Sequence, residues 1–162
     1  MLIRCANAAD ISAIIAVERS SGALFEGTHM AWAVGETSSP EDLLEAIHQG
    51  LVWVAADDDK IAGYISGSAL DGDFHIEEVA VAIGYQRRGI GKDLIEHVAG
   101  RARHLGLGAL TLTTDRTLPW NAPYYERLGF KILAEGEVPP YLGAALAEKP
   151  EPNRRCAMIR FI

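Results

Sequence analysis

The sequence predicts a three-layer α/β domain of the α+β type: a mixed central sheet of about seven strands, flanked by helices. Three observations predict it. Residues 51–83 contain three β-rich runs separated by two short Asp-containing turns. The last of these runs leads through a glycine turn into a long amphipathic helix, and another β-rich run follows that helix. Extended and helical patterns then keep alternating to residue 162, as they do when helices cover a sheet.

Residues 2–6 read as the first strand. Asn7 with Asp10 signals a helix start, and Ile11, Ile14 and Ile15 then recur at helical spacing. Glu18 falls on the same stripe. An acid there either reaches solvent or an arginine near the helix end, or points into a substrate cleft. Residues 21–38 have poor periodicity and hold Phe25, His29, Met30 and Trp32, which suits a pocket wall or a loop packed on the core. Ser39-Pro40-Glu41-Asp42 is a strong helix start, and the short helix should end near His48.

Leu51–Ala55, Ile61–Leu70 and Phe74–Ile83 are the next three strands, turning at Asp57-Asp58-Asp59 and at Asp71-Gly72-Asp73. An Asp-Gly pair is among the best hairpin signals. The helix from about Gly89 to His104 carries Ile90, Leu94, Ile95 and Val98 on one side. Ala109–Thr114 is a strand, Ala122–Leu128 a short helix before Gly129, and Phe130–Leu133 a strand. A proline-rich loop, a helical piece near Tyr141–Glu148 and a last strand at Cys156–Phe161 complete the chain. Without repeats, linkers or low-complexity stretches, residues 1–162 read as one domain.

Composition narrows the function. Hydrophobic residues make up 49% and charged residues 23%, as in ordinary globular proteins. The net charge of −7 argues against nucleic acid as partner and is compatible with a cationic amine. No signal peptide or apolar stretch of spanning length is evident, so no membrane role and a cytoplasmic location are expected. The two cysteines, Cys5 and Cys156, form no C-x-x-C pair and read as buried small residues of a reduced protein. They and the five histidines show no metal-ligand spacing, so no metal is expected.

The segment from Val79 to Lys92 carries the chemistry. A β-branched run ends in a turn whose glycines remove side chains, so several backbone N–H groups can converge on one small anion. The following helix start adds partial positive charge, and Arg87, Arg88 and Lys92 add full charges. This is a device for gripping a pyrophosphate. A dinucleotide fingerprint would need a third glycine or alanine where Leu94 stands. A P-loop would need Ser or Thr at Asp93 and glycine at Gln86.

The spacing Gln86-x-x-Gly89-x-Gly91, with Arg88 beside the first glycine, resembles the acyl-CoA signature of the GNAT superfamily of N-acyltransferases. The run Asn121-Ala122-Pro123-Tyr124-Tyr125-Glu126-Arg127-Leu128-Gly129-Phe130 resembles that family's Asn…Tyr-Glu-Lys-Leu-Gly-Phe element, with a shortened interval after the asparagine. The order of elements matches the family over nearly the whole chain. The resemblance implies a sheet splayed between its fourth and fifth strands. It also implies acetyl-CoA as cosubstrate, with the pantetheine arm on Val79, Ala80 and Val81. The diphosphate would lie on Gln86, Arg87, Arg88, Gly89, Ile90, Gly91 and Lys92. Asn121 is either a CoA contact or a helix cap.

By the same resemblance Tyr125 protonates the departing CoA thiolate, a fitting task for a phenol of pKa near 10. Tyr124 then fills the neighbouring core position. An amine attacks a thioester only when neutral, so a proton must leave it. His75 and Glu77 share the strand side of Val79 and Val81 by alternation and are the leading bases, with Glu78 behind them. Asp115 with Arg116, and Glu18, Phe25 and Trp32, are candidate substrate contacts. The expected activity is transfer of an acetyl group from acetyl-CoA to a primary amine, by direct attack in a ternary complex. The alternative is a non-catalytic acyl-CoA-binding sensor or interaction module. Specificity is expected in residues 21–38 and the Glu137–Pro152 loop. The resemblance and the apolar last strand admit a homodimer as well as a monomer.

Overall fold

The computed structural model describes residues 1–162. β1 (Leu2–Cys5) leads to Asn7, whose side chain accepts from the Ala9 N–H while Asp10 accepts from the Asn7 N–H. This reciprocal cap launches α1 (Ile11–Gly22) through a single 3-10 turn. Asp10 also takes two hydrogen bonds from the Arg4 guanidinium, at 2.8 and 3.0 Å, which ties the cap to β1. α2 (Pro40–His48) starts as the sequence predicts, with Ser39 Oγ accepting from the Asp42 N–H.

β2 (Val52–Asp57), β3 (Lys60–Leu70) and β4 (Asp73–Val81) follow. Asp71 (φ +52°) and Gly72 (φ +81°) are both left-handed, the conformation that a two-residue Asp-Gly hairpin turn requires. β4 stops at Val81, two residues short of the predicted end at Ile83. The Ala82 N–H still reaches the Ala62 carbonyl, but the Ile83 N–H turns away to Ser20 Oγ at 2.9 Å and Ile83–Tyr85 coil into a 3-10 turn. Next come α3 (Ile90–His104), β5 (Ala109–Asp115), α4 (Ala122–Arg127), β6 (Lys131–Ile132), α5 (Pro140–Ala147) and β7 (Arg155–Phe161).

The seven strands form one mixed sheet in the order β1-β2-β3-β4-β5-β7-β6. β1–β2, β2–β3, β5–β7 and β6–β7 pair antiparallel, whereas β4–β5 pair parallel. The parallel register runs through Phe74↔Leu110 and His75↔Thr111, and both strands continue beyond it, β4 to Val81 and β5 to Asp115. This is the splay expected between the fourth and fifth strands.

The chain divides into two compact units, one of Met1–Gly67 with Glu78–Val98 and one of Ser68–Glu77 with Ala99–Ile162. In the first, α1 and α2 bury Ile14, Val17 and Leu43 with Val52, Val54, Tyr64 and Ala80. The α3 stripe Ile90, Leu94, Ile95 and Val98 is buried as predicted, each such side chain contributing roughly 1.5–3 kcal/mol. In the second unit, α5 seats Leu142 against Leu133 and Ala157. The helical piece expected near Tyr141–Glu148 is α5, and it packs within the Glu137–Pro152 segment.

Two further expectations change. Strict alternation along β4 fails because Phe74, His75 and Ile76 are all buried while Glu77 and Glu78 are both exposed. A strand buried on both faces along its first half loses the alternation of a half-solvated one. Both cysteines are free, but only Cys156 is buried; Cys5 is exposed. No helix is long and apolar enough to cross a membrane.

Candidate active site

The glycine turn sits between β4 and α3. Arg87 (φ +62°) and Gly89 (φ +80°) are both left-handed, one on each side of Arg88. Gly89 adopts this conformation freely, whereas Arg87 stores strain on the order of 1 kcal/mol, a pattern common where backbone is shaped for a ligand. The Gly89 carbonyl accepts from the Asp93 N–H at 3.0 Å, the first helical bond of α3. The N–H groups of Ile90, Gly91 and Lys92 therefore lie in the first turn, where no preceding helical carbonyl can take them. Arg87, Arg88 and Lys92 are exposed around this positive helix end. Gln86 Nε2 donates to the Val81 carbonyl at 3.1 Å and braces the turn.

On β4, Val79 and Val81 are half-buried and Ala80 is buried. β3 passes close by. A Cβ at Gly63 would stand 2.8 Å from the Ala80 carbonyl oxygen, so any side chain there forces the backbone to shift.

Glu18 meets neither solvent nor an arginine. It is buried, its Oε1 accepts from the Tyr64 hydroxyl at 2.8 Å, and its Oε2 accepts from the Ser38 N–H at 2.6 Å. Both carboxylate oxygens are thus engaged by the protein. Burial, reinforced by the charges of Glu78 and Glu18, pushes the Tyr64 phenol well above its usual range and keeps it a neutral donor. This contact anchors the far end of residues 21–38. Within that segment, Thr28 Oγ1 donates to the Phe25 carbonyl and accepts from the Met30 N–H. Phe25 and Trp32 are half-buried on short 3-10 turns.

In the second unit, the exposed Glu77 carboxylate accepts from Ser68 Oγ at 3.1 Å. His75 is buried. Its Nδ1 lies 3.1 Å from Thr111 Oγ1, which lies 3.0 Å from the Tyr141 hydroxyl, and the two rings meet edge-on. Burial holds the imidazole below its ordinary value, opposed by the charges of Glu77 and Glu148. Sequence reasoning missed this chain, since Thr111 and Tyr141 carry no motif.

Tyr125 is half-buried on α4, edge-on to Tyr124 at 5.3 Å and to Phe130 at 5.8 Å. Tyr124 is half-buried too, so the two tyrosines do not divide into core and surface. Asn121 occupies the N-cap position, yet its side chain makes no capping bond. Instead Nδ2 donates to Thr114 Oγ1 at 2.9 Å, and the buried Oδ1 has no partner. Asp115 is buried, its Oδ2 accepting from the Thr117 and Leu118 N–H groups and the Thr117 hydroxyl. It shapes the turn after β5. Arg116 beside it is exposed.

The sheet pairs parallel at β4–β5, and a glycine turn ringed by exposed cations follows β4 directly. Residues 22–130 match the model of the acetyltransferase (GNAT) family, and the chain belongs to that family. Over 91 residues it is 38% identical to streptothricin acetyltransferase of Streptomyces lavendulae, an alignment covering 53% of this chain and 46% of that protein. The chain thus matches about half the length of this relative. Among solved structures, PaiA N-acetyltransferase from Thermoplasma acidophilum in complex with coenzyme A superposes with a TM-score of 0.75 at 19% identity, covering 99% of this chain and 98% of that one. N-acetylglutamate synthase from Neisseria gonorrhoeae, complexed with coenzyme A and N-acetyl-glutamate, gives 0.78 at 21% identity, covering 99% of this chain and 34% of that one. At these identities the structural likeness is one of fold.

Proposed function

We propose that this chain transfers the acetyl group of acetyl-CoA to a primary amine, by direct attack within a ternary complex. The observation that carries the reading is the turn after β4: left-handed Gly89, three first-turn N–H groups and three exposed cations, in a chain of the GNAT family. In this reading Gln86 braces the turn while Arg87, Arg88, Gly89, Ile90, Gly91 and Lys92 receive the diphosphate. Val79, Ala80 and Val81 hold the pantetheine arm, and a backbone N–H near Val79 stabilises the oxyanion as the amine attacks. Asn121 keeps one buried acceptor, Oδ1, to offer an N–H of the cofactor.

Tyr125 donates a proton to the thiolate as CoA leaves. Glu77 is the leading base. It is an exposed carboxylate two residues before Val79, about 7 Å along the strand. Glu78, also exposed, adjoins Val79 directly. His75 lies about 13 Å along the strand from Val79 and is buried, so it ranks behind both. Much of the rate would come from holding amine and thioester together.

The test is CoA release with streptothricin, glutamate, spermidine and a lysine-containing peptide as acceptors. The wild type should release CoA with at least one of them. Tyr125→Phe should bind acetyl-CoA unchanged and lose roughly a hundredfold in turnover. A non-catalytic acyl-CoA sensor would release CoA with none, and Tyr125→Phe would leave it unaltered.

A further inference from the structure

We propose that Asp57 and Tyr85 are positioning residues that hold the Arg88 guanidinium in place for a phosphate group of the cofactor. The inference rests on the CoA-binding reading and extends it to two residues outside the glycine motif. Arg88 is exposed and makes no ion pair or hydrogen bond with the protein, so its long side chain needs another restraint. The restraint is a cation–π contact: the guanidinium carbon lies over the Tyr85 ring, 5.3 Å from its centroid. A cation held over a ring face by its charge needs no hydrogen-bond acceptor from the protein, so its N–H donors remain available to an anion. Tyr85 is itself held, its hydroxyl donating to Asp57 Oδ2 at 3.0 Å on the last residue of β2. That bond to a carboxylate raises the phenol above its ordinary range, so it remains a neutral donor. A strand end thereby fixes a ring, and the ring fixes a cation.

Charge alone gives no reason for this arrangement. Asp57 heads the run Asp57-Asp58-Asp59, and a carboxylate near an anion site opposes anion binding. Its hydrogen bond to Tyr85 is what makes the placement useful. The positioning and pure-charge accounts therefore predict opposite signs.

Calorimetric titration of the full chain with CoA separates them. Arg88→Gln should weaken binding roughly tenfold, Tyr85→Leu about fivefold, and Tyr85→Phe and Asp57→Ala about threefold each. Asp57→Asn keeps an accepting oxygen and should stay within about twofold of wild type. In an Arg88→Gln background, Tyr85→Leu should cost nothing further, and thermal melts should show every variant folded. If both Asp57 variants tighten CoA binding, Asp57 acts only through charge and the proposal is overturned. If Tyr85→Leu costs as much without Arg88 as with it, the ring merely supports the turn, and the proposal is again overturned. Wild-type binding with unchanged variants defeats this inference alone. No wild-type binding defeats the CoA reading and the inference together.

Discussion

Replacing Gly63 by alanine would add one methyl group beneath the strand assigned to the pantetheine arm. The new Cβ would lie 2.8 Å from the Ala80 carbonyl oxygen, 3.3 Å from Val81 Cγ2 and 3.4 Å from Ile90 Cγ2. The closest of these atoms is backbone in β4, so no side-chain rotation relieves the clash and the strand has to shift. Overpacking of this kind costs about 1–3 kcal/mol. The alanine also restricts the unfolded chain, which returns about 0.4–1 kcal/mol. The net destabilisation is about 1–2 kcal/mol, lowering Tm by about 2–8 °C in a chain of this size. Urea denaturation and calorimetry measure it. Because Ala80 lies between Val79 and Val81, the same shift should weaken acetyl-CoA binding severalfold. An unchanged or raised Tm would refute the argument, since it would mean the two strands separate freely at this point.

Other perturbations test other parts of the molecule. Glu18→Gln leaves one accepting oxygen for two donors, the Tyr64 hydroxyl and the Ser38 N–H. It should cost about 2–3 kcal/mol in urea denaturation and speed amide exchange near Ser38. His75 is held below its ordinary value of 6.5, so between its folded pKa and 6.5 the unfolded chain binds more protons. Stability should therefore rise with pH through that window and level off above 6.5, and His75→Gln should flatten the rise in stability curves measured from pH 5 to 8. Cys156 is buried with its thiol pushed up to about 11, while Cys5 is exposed. A disulfide thiol reagent at pH 8 should modify Cys5 in the native protein, and Cys156 only after denaturation.

Local signals were legible where neighbours in sequence decide the structure. Ser39-Pro40 starts α2, Asp71-Gly72 makes a hairpin turn, and Ile90, Leu94, Ile95 and Val98 form the buried stripe of α3. The glycine turn, with its left-handed Gly89 and exposed cations, was readable because its parts lie within a few residues of one another. What was not legible depends on distant partners. Glu18 looks like any helix-end acid until Tyr64 and Ser38 arrive to bind it. His75 looks like an accessible strand base until Thr111 and Tyr141 close over it. Asp115 reads as a substrate contact, yet it is buried and its Oδ2 accepts from its own turn. Asn121 reads as a cap or a CoA contact, and it makes no capping bond because Thr114 takes its Nδ2.

Calorimetric titration of the purified chain with acetyl-CoA, run beside ATP and NAD, tests the central claim most directly. Binding of one acetyl-CoA per chain at roughly micromolar affinity, with no comparable heat from ATP or NAD, is the predicted result. No acetyl-CoA binding, or tighter binding of either nucleotide, would contradict the claim and leave the turn from Gln86 to Lys92 as a structural connection between β4 and α3.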